Sequence, residues 1–112
     1  MHILIVHKAF EEQPTLVAEF DASFTTDVEE ALDSAYIATQ NMMGSWSMGK
    51  QFEDGTPNQD FDERIKVHAP LHIQDGKTYG LRSTSMGDAA VVFPADGGVE
   101  VWNCEMIGWK RV

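Results

Sequence analysis

The chain has 112 residues, enough for one domain around one core, and its 43% hydrophobic and 23% charged residues exclude a disordered polymer. No apolar run approaches the roughly 20 residues that a membrane-spanning helix needs, and the single cysteine, Cys104, excludes an internal disulfide. The net charge of −10 is uneven, because residues 1–63 carry 13 acids and two bases whereas residues 64–112 carry five acids and six bases.

The N-terminal segment predicts two strands. Ile3–Val6 is a short apolar run typical of a buried strand, and the start of the chain lacks the basic leader of a signal peptide. Together with the lone thiol, this start predicts a cytoplasmic protein. The second strand is expected over Leu16–Phe24, with alternate residues on one face: Leu16, Ala18, Phe20, Ala22 and Phe24.

A helix is predicted next, opened by a capping box in which Thr26 is the N-cap and Glu29 the reciprocal carboxylate. Helical spacing gives it one buried face, made of Val28, Ala31, Leu32, Ala35 and Thr39. We expect the helix to end near Gln40 or Asn41, with Gly44 available for a left-handed residue just beyond.

The middle of the chain predicts a long surface loop over about residues 50–63, because it is polar and contains glycine, proline and asparagine. Ile65–Ala69 alternates as a strand does, and Leu71–Ile73 extends it past a bulge. Asp75-Gly76-Lys77 then predicts a turn.

The C-terminal third predicts a hairpin of Ala89–Phe93 with Val99–Cys104, and Trp109–Val112 adds an edge strand. The whole is a single domain over residues 1–112 of α+β class. We expect a mainly antiparallel sheet of about five strands with one principal helix packed on one face.

Catalytic and metal chemistry find little support in the sequence. His68 and His72 lie about 13 Å apart if the chain is extended, too far to share one ion, and no other histidine has a partner at ligand spacing. We therefore predict no metal site, no cofactor and no catalytic residue. Structural roles are expected for the residues of the polar turn before the hairpin: Arg82, Ser83, Ser85, Gly87 and Asp88.

The segment Met42–Phe52 carries large, adaptable side chains on a glycine-flanked backbone. Methionine and tryptophan suit surfaces that grip a partner, which makes Trp46 a candidate anchor. The alternative is that this segment folds back on the helix and completes a small core. The sequence leaves both open.

Two motifs carry a resemblance. The run from Arg82 to Asp88, followed by an apolar strand and by Ile107-Gly108-Trp109, resembles the Arg-Ser-Thr-Ser-Val-Gly-Asp pattern of small uncharacterised phage and plasmid proteins. It is similar to the C-terminal half of YodL-like domains, with Met86 in place of valine and Trp109 in place of phenylalanine. Asn41–Ser47 resembles an Asn-x-x-Gly-Ser-Trp-Ser element of such proteins. The resemblance implies a mobile-element origin and no catalytic residues.

Charge and resemblance together predict a non-enzymatic acidic accessory protein of a phage or plasmid that binds a host protein with a basic surface. The specific hypothesis is a counter-defence inhibitor, anti-restriction or anti-CRISPR, that mimics nucleic-acid charge. Neither a membrane nor nucleic acid is the expected partner. The candidate contacts are Asp27, Glu30, Asp33, Trp46, Asp54, Asp60 and Asp62.

Two alternatives remain. One is a nucleic-acid-binding accessory protein that uses a basic face formed by Arg64, Lys66, Lys77, Arg82, Lys110 and Arg111. The other is a small hydrolase-like enzyme in which Ser83 or Ser85 acts with a histidine that the fold brings close.

Overall fold

The computed structural model describes residues 1–112 and has one α-helix and eight β-strands. In chain order the elements are β1 (His2–His7), β2 (Thr15–Asp21), α1 (Val28–Ala38), β3 (Ile65–Val67), β4 (His72–Gln74), β5 (Lys77–Tyr79), β6 (Ala89–Phe93), β7 (Glu100–Cys104) and β8 (Trp109–Arg111). Six strands form one antiparallel sheet in the order β3-β2-β1-β6-β7-β8, and β4 pairs with β5 alone. The predicted α+β class is confirmed, with more strands than expected.

The core lies between α1 and one face of the large sheet. Ile3 and Ile5 of the central strand β1 are fully buried, opposite Val92 and Ala90 of β6. The predicted apolar face of α1 supplies Ala31, Leu32 and Ala35, and Phe20 and Trp102 complete the cluster from β2 and β7. No helix of the protein is both long enough and apolar enough to cross a membrane.

The helix begins one residue later than the capping-box pattern predicts. Asp27 is the N-cap, and its carboxylate accepts the backbone N–H groups of Glu29 at 3.0 Å and Glu30 at 3.4 Å. The prediction of Thr26 as the cap is wrong, because the carboxylate of Asp27 accepts these amides instead. The helix ends at Ala38, and the hydroxyl of Thr39 donates back to the Ala35 carbonyl at 2.9 Å. Since Thr39 terminates the helix, Gly44 has no capping role, and its φ is not positive.

A β-bulge decides which residues of β2 are buried. Ile5 pairs with Ala18 and the next residue of β1, Val6, pairs with Leu16, so Val17 is the extra residue. The bulge turns Val17 into the core and leaves Leu16 at 42% exposure. The predicted buried face is therefore wrong at both ends, at Leu16 and at Phe24, which lies beyond the strand at 48% exposure.

The chain leaves the large sheet after β3. The expected extension of this strand through Leu71–Ile73 is wrong, because β4 instead pairs with β5 in a separate hairpin. The predicted turn at Asp75-Gly76 closes this hairpin, with both residues at positive φ. Residues 50–63 contain no helix or strand, although a bridge between Gln51 and Pro57 draws the segment into a compact turn.

The C-terminal hairpin and the edge strand form as predicted. β6 pairs with β7, and β8 adds to β7 with Cys104 opposite Trp109. Cys104 is buried in the core face of β7. The sheet therefore ends in β8 on one side and β3 on the other.

Candidate functional site

The turn between β5 and β6 is organised around an ion pair between the buried carboxylate of Asp88 and the partly exposed guanidinium of Arg82. The Asp88 carboxylate is fully buried and accepts both terminal guanidinium nitrogens of Arg82 at 2.8 Å. Its Oδ1 also accepts the N–H groups of Lys8 and Ala9, and its Oδ2 accepts that of Ser85 at 2.8 Å. Asp88 thus ties this turn to the end of β1, a contact between residues 80 positions apart.

These contacts fix the charge states. Burial alone would raise the pKa of Asp88, but hydrogen bonds from Arg82 and the backbone amides outweigh it and lower the pKa to about 2. The carboxylate of Asp88 raises the pKa of Arg82, and Glu11 binds the same guanidinium at 2.8 and 3.1 Å. The hydrogen bond from Arg82 lowers the pKa of Glu11. Arg82 is therefore neutralised by two carboxylates.

The hydroxyl groups of the turn hold the backbone. Ser83 Oγ accepts the N–H of Asn41 at 2.8 Å, and the Thr84 carbonyl accepts the Gln40 side chain at 2.8 Å. Gly87 has a φ of 97°, and a Cβ there would lie 3.1 Å from that of Ala9. The positions of these residues are those expected of a structural turn that locks the C-terminal end of α1 to the sheet.

A histidine does meet a hydroxyl here, although not one predicted from the sequence. His7 Nε2 lies 3.0 Å from Thr84 Oγ1, and both side chains are only 1% exposed. Burial lowers the pKa of His7, against the opposing effect of Asp88. No cavity opens onto this pair, and neither Ser83 nor Ser85 is bonded to a histidine.

Trp46 lies in the core, so the prediction that it anchors a partner is wrong. Its ring is 1% exposed, packs edge-on against His7 at 6.2 Å and donates from Nε1 to the Arg82 carbonyl at 2.9 Å. The alternative, that the segment after the helix completes the core, is the one the structure adopts. Met42 and Met43 in the same segment are about three-quarters exposed, at 77% and 74%.

Asp60 is another predicted contact that the fold uses internally. Its Oδ2 accepts the N–H groups of Met42, Met43 and Gly44 at 2.7–3.0 Å. Beside it the buried side chain of Asn58 accepts the N–H of Ser45 and donates to three carbonyls. A carboxylate that collects three amides has a structural role. Oδ1 of Asp60 forms no hydrogen bond within the chain, and a partner contact there stays a prediction.

Asp62 and Asp54 have local partners. Asp62 forms a bidentate pair with Arg64, and hydrogen bonding to that guanidinium lowers the pKa of Asp62. The Arg64 guanidinium in turn covers the Phe20 ring at 4.9 Å. Asp54 is exposed and accepts both the N–H and the hydroxyl of Thr56 through Oδ1, which leaves Oδ2 unbonded. Of these two acids, Asp54 has an oxygen free for a partner.

The carboxylates of α1 remain exposed. Asp27 has the capping role, and Glu30 reaches back to the Thr25 hydroxyl at 3.3 Å. Asp33 forms no hydrogen bond or ion pair and lies one turn beyond Glu29, on the same face of the helix. Glu29 was absent from the predicted contacts, although its four-residue spacing from Asp33 was visible in the sequence.

Glu29 and Asp33 line a cavity of about 190 Å³ with the tip of the β7–β8 hairpin. Ile107 forms the far wall at 91% exposure, next to Met106 at 82%. The acidic flank of α1 therefore adjoins an exposed apolar tip. No cavity or hydrogen bond joins this surface to Asp54, Asp60 or Asp62.

The basic residues proposed for nucleic-acid binding are also dispersed. Lys66 lies on β3 and Lys110 on β8, the two opposite edges of the large sheet. Arg64 is paired with Asp62, and Arg82 is held in its buried pair. Lys77 and Arg111 lie on β5 and β8 respectively. These positions do not make a single basic face.

Comparison with protein-family models, with curated proteins and with solved structures finds no match for this chain. The resemblance to phage and plasmid proteins stays a prediction. No group of three or more His, Cys, Asp or Glu side chains is arranged to hold a metal ion.

Proposed function

We propose that this protein is a non-enzymatic binding protein that engages the basic surface of another protein through the acidic flank of α1 and the β7–β8 tip. The observation that carries the proposal is the cavity between Glu29, Asp33 and Ile107. It places two unpaired carboxylates beside a side chain that is 91% exposed. Charge for steering and an apolar anchor for affinity are the two components of a protein interface.

Other charged side chains are already paired within the chain, which supports this choice of surface. Arg82 and Arg64 both have carboxylate partners within the chain, so their charges are offset before any ligand arrives. Glu29 and Asp33 have none, and the net charge of −10 adds a long-range attraction for cationic proteins. Ile107 takes the role of apolar anchor that the sequence assigned to Trp46.

The partner we propose is a host protein with a basic surface. In the mobile-element setting implied by the resemblance, a restriction or CRISPR nuclease has such a surface where it binds nucleic acid. The carboxylates of α1 would then compete with phosphate for the same cationic side chains. Because exposed charges are screened within about 10 Å at 0.1 M salt, this binding weakens as salt rises.

The test reverses the charge of one surface and compares it with an equal change elsewhere. Glu29→Lys with Asp33→Lys alters the α1 flank, whereas Glu12→Lys with Glu63→Lys changes the net charge equally at exposed acids away from it. Each variant is immobilised, exposed to host lysate and eluted with a salt gradient. We expect the α1 variant to lose the salt-eluted partner, with about tenfold weaker binding, and the control to retain it.

Two results would contradict the proposal. Equal capture by the α1 variant and the wild type would show that this flank makes no contact. Equal loss in both variants would mean that total charge matters and the surface does not. A filter-binding assay at low salt addresses the nucleic-acid alternative, since the proposed protein should retain no DNA or RNA.

A further inference from the structure

A second cleft, of about 390 Å³, lies between residues 48–54 and β5. Its apolar surface comes from Met48, Phe52 and Tyr79, and its charged rim from Glu53, Asp54 and Lys77. Tyr79 is 49% exposed although it is aromatic. None of these residues belongs to the α1 surface or to the Arg82–Asp88 pair, so the cleft is a separate site.

The two walls of the cleft are fixed to each other. The Ser47 hydroxyl accepts the N–H of Leu81 at 2.7 Å, directly after β5. Gly80 lies so close to the hydroxyls of Ser45 and Ser47 that a Cβ would collide with them. On the other wall, Phe52 N donates to the Thr56 carbonyl at 2.9 Å. The Ser47–Leu81 bond therefore joins the two walls, and the Phe52–Thr56 bond fixes the turn that carries Phe52.

We propose that this cleft binds the cationic side chain of a peptide, the guanidinium of arginine or the ammonium of lysine. The alkyl stem would lie on Met48, and the charged end would approach the Phe52 and Tyr79 rings. A cation over an aromatic face is attracted by the ring quadrupole. The carboxylates at the rim provide the charged hydrogen-bond acceptors that such a group requires.

The rim carboxylates are available to this ligand. Glu53 is exposed and takes part in no hydrogen bond or salt bridge of the chain. Both bonds of Asp54 go to its Oδ1, from the Thr56 amide at 3.0 Å and the hydroxyl at 2.6 Å, which leaves Oδ2 open. Hydrogen bonding to Thr56 lowers the pKa of Asp54, so its carboxylate is ionised at neutral pH, where lysine and arginine are charged.

Lys77 allows a test of whether the ligand is a cation or an anion. It lines the cleft without a carboxylate within 4.0 Å, and the three charged side chains of the rim sum to −1. If the ligand is a cation, removing the Lys77 charge strengthens binding. If the ligand is an anion, the same change weakens binding.

The experiment is an NMR titration of the full chain with acetyl-Gly-Arg-Gly-amide, following the backbone amides of residues 52–54 and 77–80. The lysine tripeptide distinguishes ammonium from guanidinium, and the citrulline tripeptide keeps the shape of arginine without its charge. The double variant Glu53→Gln with Asp54→Asn is isosteric and keeps an oxygen for Thr56. Glu12→Gln, an exposed acid elsewhere, is the matched control.

We expect millimolar binding of the arginine or lysine peptide and none of the citrulline peptide. The double variant weakens binding about tenfold, Lys77→Gln strengthens it about threefold, and Glu12→Gln leaves it unchanged. Tyr79→Leu weakens it about threefold through loss of the ring. Three results would overturn the proposal. The first is that neither the arginine nor the lysine peptide shifts the amides at about 10 mM. The others are equal shifts with the citrulline peptide and weaker peptide binding by Lys77→Gln.

This inference and the proposed function fail separately. Glu29→Lys with Asp33→Lys should abolish partner capture through α1 while the tripeptide still shifts the amides of the cleft. Conversely, the Glu53→Gln and Asp54→Asn variant should bind the tripeptide about tenfold more weakly and still capture the partner through the α1 surface. Capture that fails in the first variant therefore leaves the cleft proposal standing.

Discussion

Replacing Asp88 by asparagine tests the buried ion pair on which the C-terminal turn depends. The carboxylate is fully buried, and both of its oxygens face only N–H donors, from Arg82 and three backbone amides. In Asp88→Asn, the amide NH₂ group must point at one of these donors, and the Arg82 charge loses its inner partner. Removing one member of a buried pair costs about 3–5 kcal/mol. Because Arg82 keeps Glu11, we expect about 3 kcal/mol.

The pH dependence gives a second, independent magnitude. The pKa of Asp88 is about 2 in the fold, against an ordinary value of 3.8. A depressed pKa means that the stabilisation is fully present above pH 3.8 and is lost as the pH falls toward 2. The difference corresponds to about 2 kcal/mol of unfolding free energy. Asp88→Asn lacks this titration, so its stability curve should be flatter over the same interval.

Urea unfolding followed by tryptophan fluorescence measures both effects, because Trp46 moves from the core to water on unfolding. The titration runs from pH 7 to about pH 2. Asp96→Asn, at an exposed acid in the β6–β7 turn, is the matched control and should change stability by less than about 0.5 kcal/mol. Two results would contradict a stabilising role for the ion pair. One is that Asp88→Asn lowers the unfolding free energy by under about 1 kcal/mol at pH 7, and the other is that its stability falls with pH as much as that of the wild type.

Two further substitutions test the packing around this turn. Trp46→Ala should lower the unfolding free energy by about 3–5 kcal/mol, because it empties a core position; an effect under 1 kcal/mol, measured by calorimetry, would be evidence for a surface role. Gly87→Ala should cost more than Gly55→Ala, because both glycines have positive φ but only at Gly87 does the new Cβ meet a neighbour, Ala9 at 3.1 Å. We expect about 1–2 kcal/mol at Gly87 and about 1 at Gly55; equal losses would mean that backbone conformation alone matters.

The sequence predicts structural features correctly where they depend on residues that are close together in the chain. The helical periodicity of α1 predicted its buried face, and turn residues predicted the turn at Asp75-Gly76 and the β6–β7 hairpin. Errors arose where a distant residue intervened. The N–H groups that donate to Asp60 belong to residues 42–44. The bulge at Val17 depends on the register of β2 with β1. Neither relation has a spacing that can be recognised along the chain.

The α+β class, the principal helix and the strongly acidic N-terminal half follow from the sequence alone, because periodicity, turn chemistry and charge are properties of neighbouring residues. Which charged and aromatic groups remain accessible depends on how distant parts of the chain pack together. Trp46 fills the core because His7 and Arg82 arrive from opposite parts of the chain to enclose it. Glu29 and Ile107 become neighbours across one cavity although 78 positions separate them in the sequence.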